Sequence, residues 1–236
     1  MSRRIGCLAA VLVLLGVVLG VLVVVDRVGV GIAEDRVAEQ LADRGQLAGT
    51  PDVEITGFPF LTQAVSGRYS DVRIHLTAEE LGQPAGTRAD VSLQGVHVAL
   101  PDVLSGSVRE VPVERVDGTA TLSYDLLADQ LDPGTTVTRD GDGLRVQRTV
   151  EVAGVSVPLA ATGTVSLDGD TVVVDVDEAS SAGVDVPGYL VDQVSDALDL
   201  RYRIPPLPFG LQVTGVAPAD DGVRVRVEAA DTVLSG

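Results

Sequence analysis

The stretch Leu167–Val176, LDGDTVVVDV, decides the fold class of this chain. An Asp-Gly pair separates a leucine from a run in which valines recur at positions 172, 174 and 176. Asp-Gly between alternating apolar residues is the strongest short-range signal for a tight hairpin turn. We therefore predict two antiparallel strands here, joined by that turn.

The same signal recurs in four other Asp-Gly pairs, at Asp117-Gly118, Asp140-Gly141, Asp142-Gly143 and Asp221-Gly222. Apolar alternation also predicts strands over 53–55, 72–76 and 91–100, and a final pair over 211–216 and 223–233. In the third of these segments the alternation slips phase at Gln94-Gly95, which predicts a β-bulge. The sheet should be largely antiparallel.

Apolar residues at helical spacing predict three helices outside the N-terminal region. The first runs from Arg27 to Leu47, with one apolar face formed by Val30, Ala33, Val37 and Leu41. Two shorter helices are predicted over 124–131 and 190–198. Long antiparallel strands with few helices to cover them indicate an α+β fold rather than a doubly wound one.

The N-terminus carries an uncharged apolar run, Ile5–Val25, preceded by Arg3 and Arg4. About 20 such residues cross a bilayer, and the positive flank stays cytoplasmic. We predict a signal anchor or signal peptide over residues 1–26 and an extracytoplasmic domain over 27–236. The protein would be single-pass in the plasma membrane, or secreted to the periplasm or cell envelope if the segment is cleaved. The valines at the end of the run favour an uncleaved anchor.

Composition excludes several classes of function. The net charge is -17 and the chain has no lysine, so nucleic acid is a poor candidate partner. The single cysteine lies in the apolar run, so the folded part has neither a disulfide nor a thiolate metal site.

Catalytic and ligand-binding motifs are also missing from the sequence. The two histidines, His75 and His97, lie in predicted strands, and neither G-x-S-x-G nor a phosphate-binding glycine motif occurs. The best window for a calcium loop begins at Asp140, but its sixth position is Arg145 rather than glycine, so a hairpin turn is preferred. We predict no enzymatic activity, no metal and no cofactor.

Two proline-stiffened segments hold all three phenylalanines, Gly57–Gln63 (GFPFLTQ) and Ile204–Gln212 (IPPLPFGLQ). Apolar residues at such turns can plug the end of a sheet, form the mouth of an apolar pocket, or dip into a membrane interface. The residues alone leave all three interpretations open.

The first segment, continuing through Gly67-Arg68-Tyr69 to Val72, and the second, followed by Asp221-Gly222-Val223, resemble the LmeA family of actinobacterial phospholipid-binding proteins. The resemblance covers most of residues 27–236. It implies a cell-envelope protein that binds phospholipid and, in mycobacteria, supports the mannan elongation of lipoglycans. It also implies a tubular-lipid-binding-like shape, in which a curved antiparallel sheet wraps a long helix around an apolar cavity. No catalytic residues follow from it.

We therefore predict a non-catalytic binder of diacyl phospholipid that is attached to the membrane by its N-terminal helix. Arg68 or Arg73 would meet the headgroup phosphate. The other candidate lipid contacts are apolar or aromatic: Phe58, Phe60, Leu61 and Tyr69 near one mouth, and Leu207, Phe209 and Leu211 near another. One alternative is a structural or scaffolding envelope protein with a solid core, and another is a lipid or glycan hydrolase or transferase with clustered buried carboxylates. No protein partner can be named from the sequence.

Overall fold

The fold begins with one long helix, α1 (Ser2–Gly45), which joins the apolar run to the predicted amphipathic helix without a break. The structure is a computed structural model and describes residues 2–105, 107–129, 133–152, 155–181, 184–185, 200–203, 207 and 210–235. The predicted division between residues 26 and 27 therefore falls inside a helix. By length and composition, the Leu12–Gly45 part of α1 contains a stretch that could cross a membrane.

Four short helices follow in the described parts of the chain: α2 (Phe60–Ser66), α3 (Ala78–Leu81), α4 (Leu100–Ser105) and α5 (Tyr124–Asp129). The last confirms the helix predicted over 124–131 as far as Asp129, and residues 130–132 lie outside the described residues. The helix predicted over 190–198 lies outside the described residues.

Within the described residues, the first sheet consists of β1 (Asp52–Thr56), β2 (Arg68–Leu76), β3 (Arg88–His97), β4 (Glu110–Ser123), β11 (Gln212–Ala219) and β12 (Gly222–Ser235). These six strands lie in the order β1-β2-β3-β4-β12-β11, and every neighbouring pair is antiparallel. The last two confirm the predicted C-terminal pair. At the β1 edge, the Ile55 amide donates a 2.8 Å hydrogen bond to Glu34 of α1.

The described strands of the second sheet are β5 (Thr135–Asp140), β6 (Gly143–Val152), β7 (Val155–Asp168), β8 (Thr171–Ser181), β9 (Val184–Asp185) and β10 (Leu200–Arg203). They lie in the order β10-β8-β7-β6-β5, with β9 also paired to β8, and this sheet is antiparallel as well. The predicted α+β class is confirmed, with a long apolar helix and an open, curved, mostly antiparallel sheet.

Four of the five Asp-Gly pairs lie at hairpin turns. The turns join β5 to β6, β7 to β8, and β11 to β12. The prediction was wrong for Asp117-Gly118, which lies inside β4, where Gly118 pairs with Val91 and Val227. A Cβ on Gly118 would stand 2.6 Å from Cγ2 of Val227. Glycine is needed here because a valine of the next strand occupies the space, and no turn is involved.

Gly118→Ala should therefore destabilise the fold by about 1–3 kcal/mol, the usual cost of overpacking a well-filled site. The penalty should shrink when Val227→Ala is introduced as well, because the obstructing methyl is then gone. A double-mutant cycle measured by chemical denaturation checks this. An equal penalty in both backgrounds would contradict the steric explanation.

The phase slip at Gln94-Gly95 is present, but it extends across three strands. Residues three apart normally face opposite sides of a sheet, yet three such pairs are all buried on one face: Tyr69 and Val72, Leu93 and Val96, Val113 and Val116. The pairing register on both sides of β3 is unbroken. The slip is therefore not a bulge with one extra residue, because the neighbouring strands slip at the same level. Gly95 supplies the positive φ, 63°, that the distortion requires.

The main apolar core lies between α1 and the face of the first sheet that packs against it, which we call the inner face. It includes Val30 and Ala38 of α1 and the buried pairs of the phase slip. A smaller core joins the two sheets around Val137, Leu144 and Val223. Beside it, the hydroxyl of Tyr124 donates a 2.6 Å hydrogen bond to the Ala219 carbonyl, and burial is the main cause that raises the pKa of this phenol.

Candidate functional site

An apolar cavity of about 330 Å³ lies between the second half of α1 and the inner face of the first sheet. Nearly all of its walls are aliphatic. The lining includes Ala33, Val37, Gln40, Leu41 and Arg44 of α1, then Tyr69, Val72, Leu93, Val96, Val111 and Leu234 of the first sheet, and Val103, Val108 and Arg109 between β3 and β4.

The helical wall follows from the spacing of its residues. Ala33, Val37 and Leu41 are four residues apart, so they form one stripe along α1. This is the stripe that the sequence predicts to be the buried face of the helix. All three are only partly buried although they pack against the core, because they border an open space.

The sheet wall depends on the phase slip. Tyr69 and Val72 of β2, and Leu93 and Val96 of β3, all line the cavity although the members of each pair are three residues apart. Regular alternation would turn one member of each pair to the outer face. The slip therefore widens the apolar surface that these two strands present to α1.

The polar residues of the lining, apart from Tyr69, are grouped around the C-terminal end of α1. Gln40 donates to the Val103 carbonyl at 3.5 Å, and Arg44 donates to the Val108 carbonyl at 3.1 Å. Arg109 follows Val108 directly, so two guanidinium groups are carried at this end. Both arginines are exposed. The cavity thus combines an aliphatic interior with a cationic, solvent-accessible end.

Tyr69 is the aromatic member of the lining and is 7% exposed. Burial raises the pKa of its phenol above the ordinary value of 10.0. The side chain therefore stays neutral at physiological pH and adds no charge to the apolar wall. Its ring centre lies 6.2 Å from that of Phe60.

The first predicted mouth divides into an exposed residue and a buried one. Phe60 is 4% exposed and belongs to the main core, whereas Phe58 is 59% exposed. Leu61 packs against the core, and its amide donates a 2.8 Å hydrogen bond to Asp26. Phe58, Phe60 and Leu61 do not line the cavity, whereas the neighbouring Tyr69 does.

The second predicted mouth is described only in part. Leu211 packs against the main core, and Leu207 is partly buried. Phe209 lies outside the described residues. Neither Leu207 nor Leu211 lines the cavity, so their role as lipid contacts stays a prediction.

The two arginines proposed from the sequence lie away from the cavity. Arg73 is paired with Asp71 at 2.9 Å and with Glu54 at 3.8 Å, beside a polar groove that does not share the cavity's lining. Arg68 is exposed at the start of β2. The lipid contacts predicted from the sequence do not include Arg44 and Arg109, the two arginines that line the cavity. Arg44 continues the stripe of Ala33, Val37 and Leu41 and could have been found, whereas no local pattern marks Arg109.

The histidines and carboxylates of the described residues do not line the cavity. His75 and His97 lie in β2 and β3 with half-exposed side chains, and each faces a carboxylate, Asp90 and Glu114 respectively. Within the described ranges, no group of three histidine, cysteine or carboxylate side chains could hold a metal ion. Asp140 and Asp142 border the β5–β6 turn, as the hairpin interpretation predicts.

Comparison with known proteins gives a single result. No curated protein and no solved structure matches the chain at a significant level. A family model described as LmeA-like phospholipid-binding matches residues 24–228, from the end of the apolar run to the last strand. The match includes every residue of the cavity lining except Leu234. The chain therefore belongs to the LmeA-like phospholipid-binding family.

Proposed function

We propose that this protein holds a phospholipid by its acyl chain outside the cytoplasm, while α1 anchors it in the plasma membrane. The observation that carries the proposal is an aliphatic cavity with two arginines at its exposed end, in a chain of a phospholipid-binding family. The acyl chain lies between α1 and the inner face, and the phosphate lies beside Arg44 and Arg109.

Hydrophobic transfer supplies the affinity. Burying one methylene contributes about 0.8 kcal/mol, so eight methylenes contribute about 6 kcal/mol before the costs of association. The cavity volume is near the lower end of the range for ligand pockets, about 300–1,000 Å³. It suits part of one lipid, with the remaining acyl carbons and the headgroup outside. A solid-core scaffold, the alternative kept from the sequence, does not account for this space.

Charge supplies the orientation. The chain has twice as many acidic as basic residues, 34 against 17, so two adjacent arginines form a local exception. A guanidinium group binds phosphate through paired, charge-assisted hydrogen bonds. The headgroup therefore lies at the arginine end and the acyl chain in the aliphatic interior.

Location and physiological role complete the proposal. The arginines before the apolar run direct the domain to the extracytoplasmic side, where the protein serves the cell envelope. From the family resemblance we also infer that the protein supports lipoglycan maintenance. We propose that the bound lipid is cargo and that the role is non-catalytic, in keeping with a phospholipid-binding family.

Native mass spectrometry of the full chain, purified in mild detergent, tests the proposal. We expect about one phospholipid per chain, either co-purified or taken up from added lipid. A chain that carries no phospholipid and takes up none would overturn it.

A separate prediction concerns Arg44 and Arg109 at the exposed end of the cavity. The double variant Arg44→Gln/Arg109→Gln should bind phosphatidylglycerol roughly tenfold more weakly, since two partly hydrated charge-assisted contacts are worth about 1–2 kcal/mol together. Binding of diacylglycerol, which lacks the phosphate, should be unchanged. Arg36→Gln/Arg115→Gln removes the same charge from two exposed arginines that do not line the cavity, and it is the matched control. Equal losses for both lipids would show that the arginines shape the cavity and do not bind the phosphate.

A further inference from the structure

The segment Gly57–Ser66, which we call the foot, carries exposed apolar side chains that do not line the cavity. Outside α1, three large apolar side chains of the described residues are exposed: Phe58 at 59%, Val65 at 87% and Val233 at 48%. Two of the three lie in this one segment. Water is a poor environment for such side chains, and their clustering indicates a contact surface.

The foot is joined to α1 at the point where the apolar run ends. The Leu61 amide donates to Asp26, the first charged residue after the run. The ring of Phe60 passes 3.6 Å from the position that a Cβ on Gly29 would take. Because Asp26 and Gly29 are only one and four residues beyond Val25, the foot lies about one helical turn past the apolar run, at the level where α1 would leave the hydrocarbon.

Asp26 has the surroundings expected of a carboxylate at this level. It is 2% exposed, and the foot covers it. One of its oxygens accepts the Leu61 hydrogen bond, and the other has no hydrogen-bond partner within the described part of the chain. A carboxylate is costly next to hydrocarbon unless the protein shelters it. The foot provides that shelter.

The exposed side of the foot combines an aromatic ring with a cation. The guanidinium carbon of Arg27 lies 5.1 Å from the centre of the Phe58 ring. Aromatic and aliphatic side chains beside arginine are typical of protein segments that lie in the boundary between headgroups and acyl chains. The ring would enter the acyl boundary while the guanidinium stays among the phosphates.

We infer that the foot is a second membrane contact, which places Phe58 and Val65 in the interface of the bilayer that α1 crosses. The inference rests on the proposed membrane span of α1. Two contacts with one bilayer restrict the tilt and rotation of the domain. Arg44, about 27 Å beyond Asp26 along the helix axis at 1.5 Å per residue, is then held away from that surface.

Tryptophan fluorescence tests this directly, because the chain contains no tryptophan. Phe58→Trp and Val65→Trp place a unique fluorophore on the foot at exposed sites that tolerate a large side chain. Asp43→Trp places it at an exposed site of the same helix, about 26 Å beyond Asp26. Leu15→Trp places it inside the apolar run. Each full-length variant is reconstituted into phosphatidylcholine–phosphatidylglycerol liposomes that contain lipids brominated near the headgroup or deep in the acyl chain.

The expected result is strong quenching of both foot variants by the shallow bromine, strong quenching of Leu15→Trp by the deep bromine, and little quenching of Asp43→Trp. If Leu15→Trp is quenched while the foot variants behave like Asp43→Trp, the inferred membrane contact of the foot is wrong, but the membrane span of α1 stands. If Leu15→Trp is not quenched either, both fail. Blue-shifted but unquenched emission from the foot variants would mean that protein covers the foot, and this outcome also overturns the inference.

Discussion

Filling the cavity should abolish lipid retention: Ala33→Phe/Val111→Phe is expected to bind phospholipid about a hundredfold more weakly than the unchanged chain. Ala33 lies on the α1 wall and Val111 on the β4 wall, so the two rings enter the cavity from different sides. If they displace about four methylenes of the acyl chain, the loss is about 3 kcal/mol, or two orders of magnitude in affinity. Native mass spectrometry or lipid-transfer titration measures it.

The matched control is the neighbouring pair, Ile32→Phe/Val233→Phe. Ile32 precedes Ala33 on α1, and Val233 pairs with Pro112 across β12 and β4, next to Val111. Both are exposed and neither lines the cavity. The control should therefore bind lipid normally. Circular dichroism of all variants should be unchanged. If the cavity-filled variant keeps its affinity, the acyl chain lies elsewhere and the proposed function loses its main support.

The largest effect on stability should come from Phe60. Phe60→Ala is expected to lower the free energy of unfolding by about 3–5 kcal/mol, the usual cost of truncating a buried phenylalanine. The ring packs between Gly29 of α1 and Tyr69 of β2, so its removal opens a hole where the helix meets the sheet. Urea denaturation of the full chain in mild detergent measures the change.

Phe58 provides the comparison, two residues earlier in the same motif. Phe58→Ala should cost less than about 1 kcal/mol, because the ring is exposed and loses only a contact with Arg27. Similar losses at the two positions would contradict the division of this motif into a buried and an exposed phenylalanine. A charged residue at position 60 would test the core, while a substitution at position 58 tests the surface.

The sequence by itself determined the parts of this protein that depend on local pattern. Length and apolarity alone identify Ile5–Val25 as a candidate membrane span, and helical spacing alone identifies the apolar stripe of α1. Three of the hairpin turns depend on four neighbouring residues each. The α+β class follows from these elements, and the family follows from motifs that are short and contiguous.

Only the tertiary structure decided which surfaces meet. Phe58 and Phe60 are the same residue type in one motif, but only the second ring is buried, next to Gly29 of α1. Position 118, inside a strand, requires glycine because Val227, more than a hundred residues later, fills its side-chain space. The phase slip shared by β2 and β3 widens the apolar wall of the cavity, and its cationic end combines Arg44 with Arg109 from 65 positions further along. In each case the deciding contact joins residues far apart in the chain, and local periodicity carries no information about such contacts.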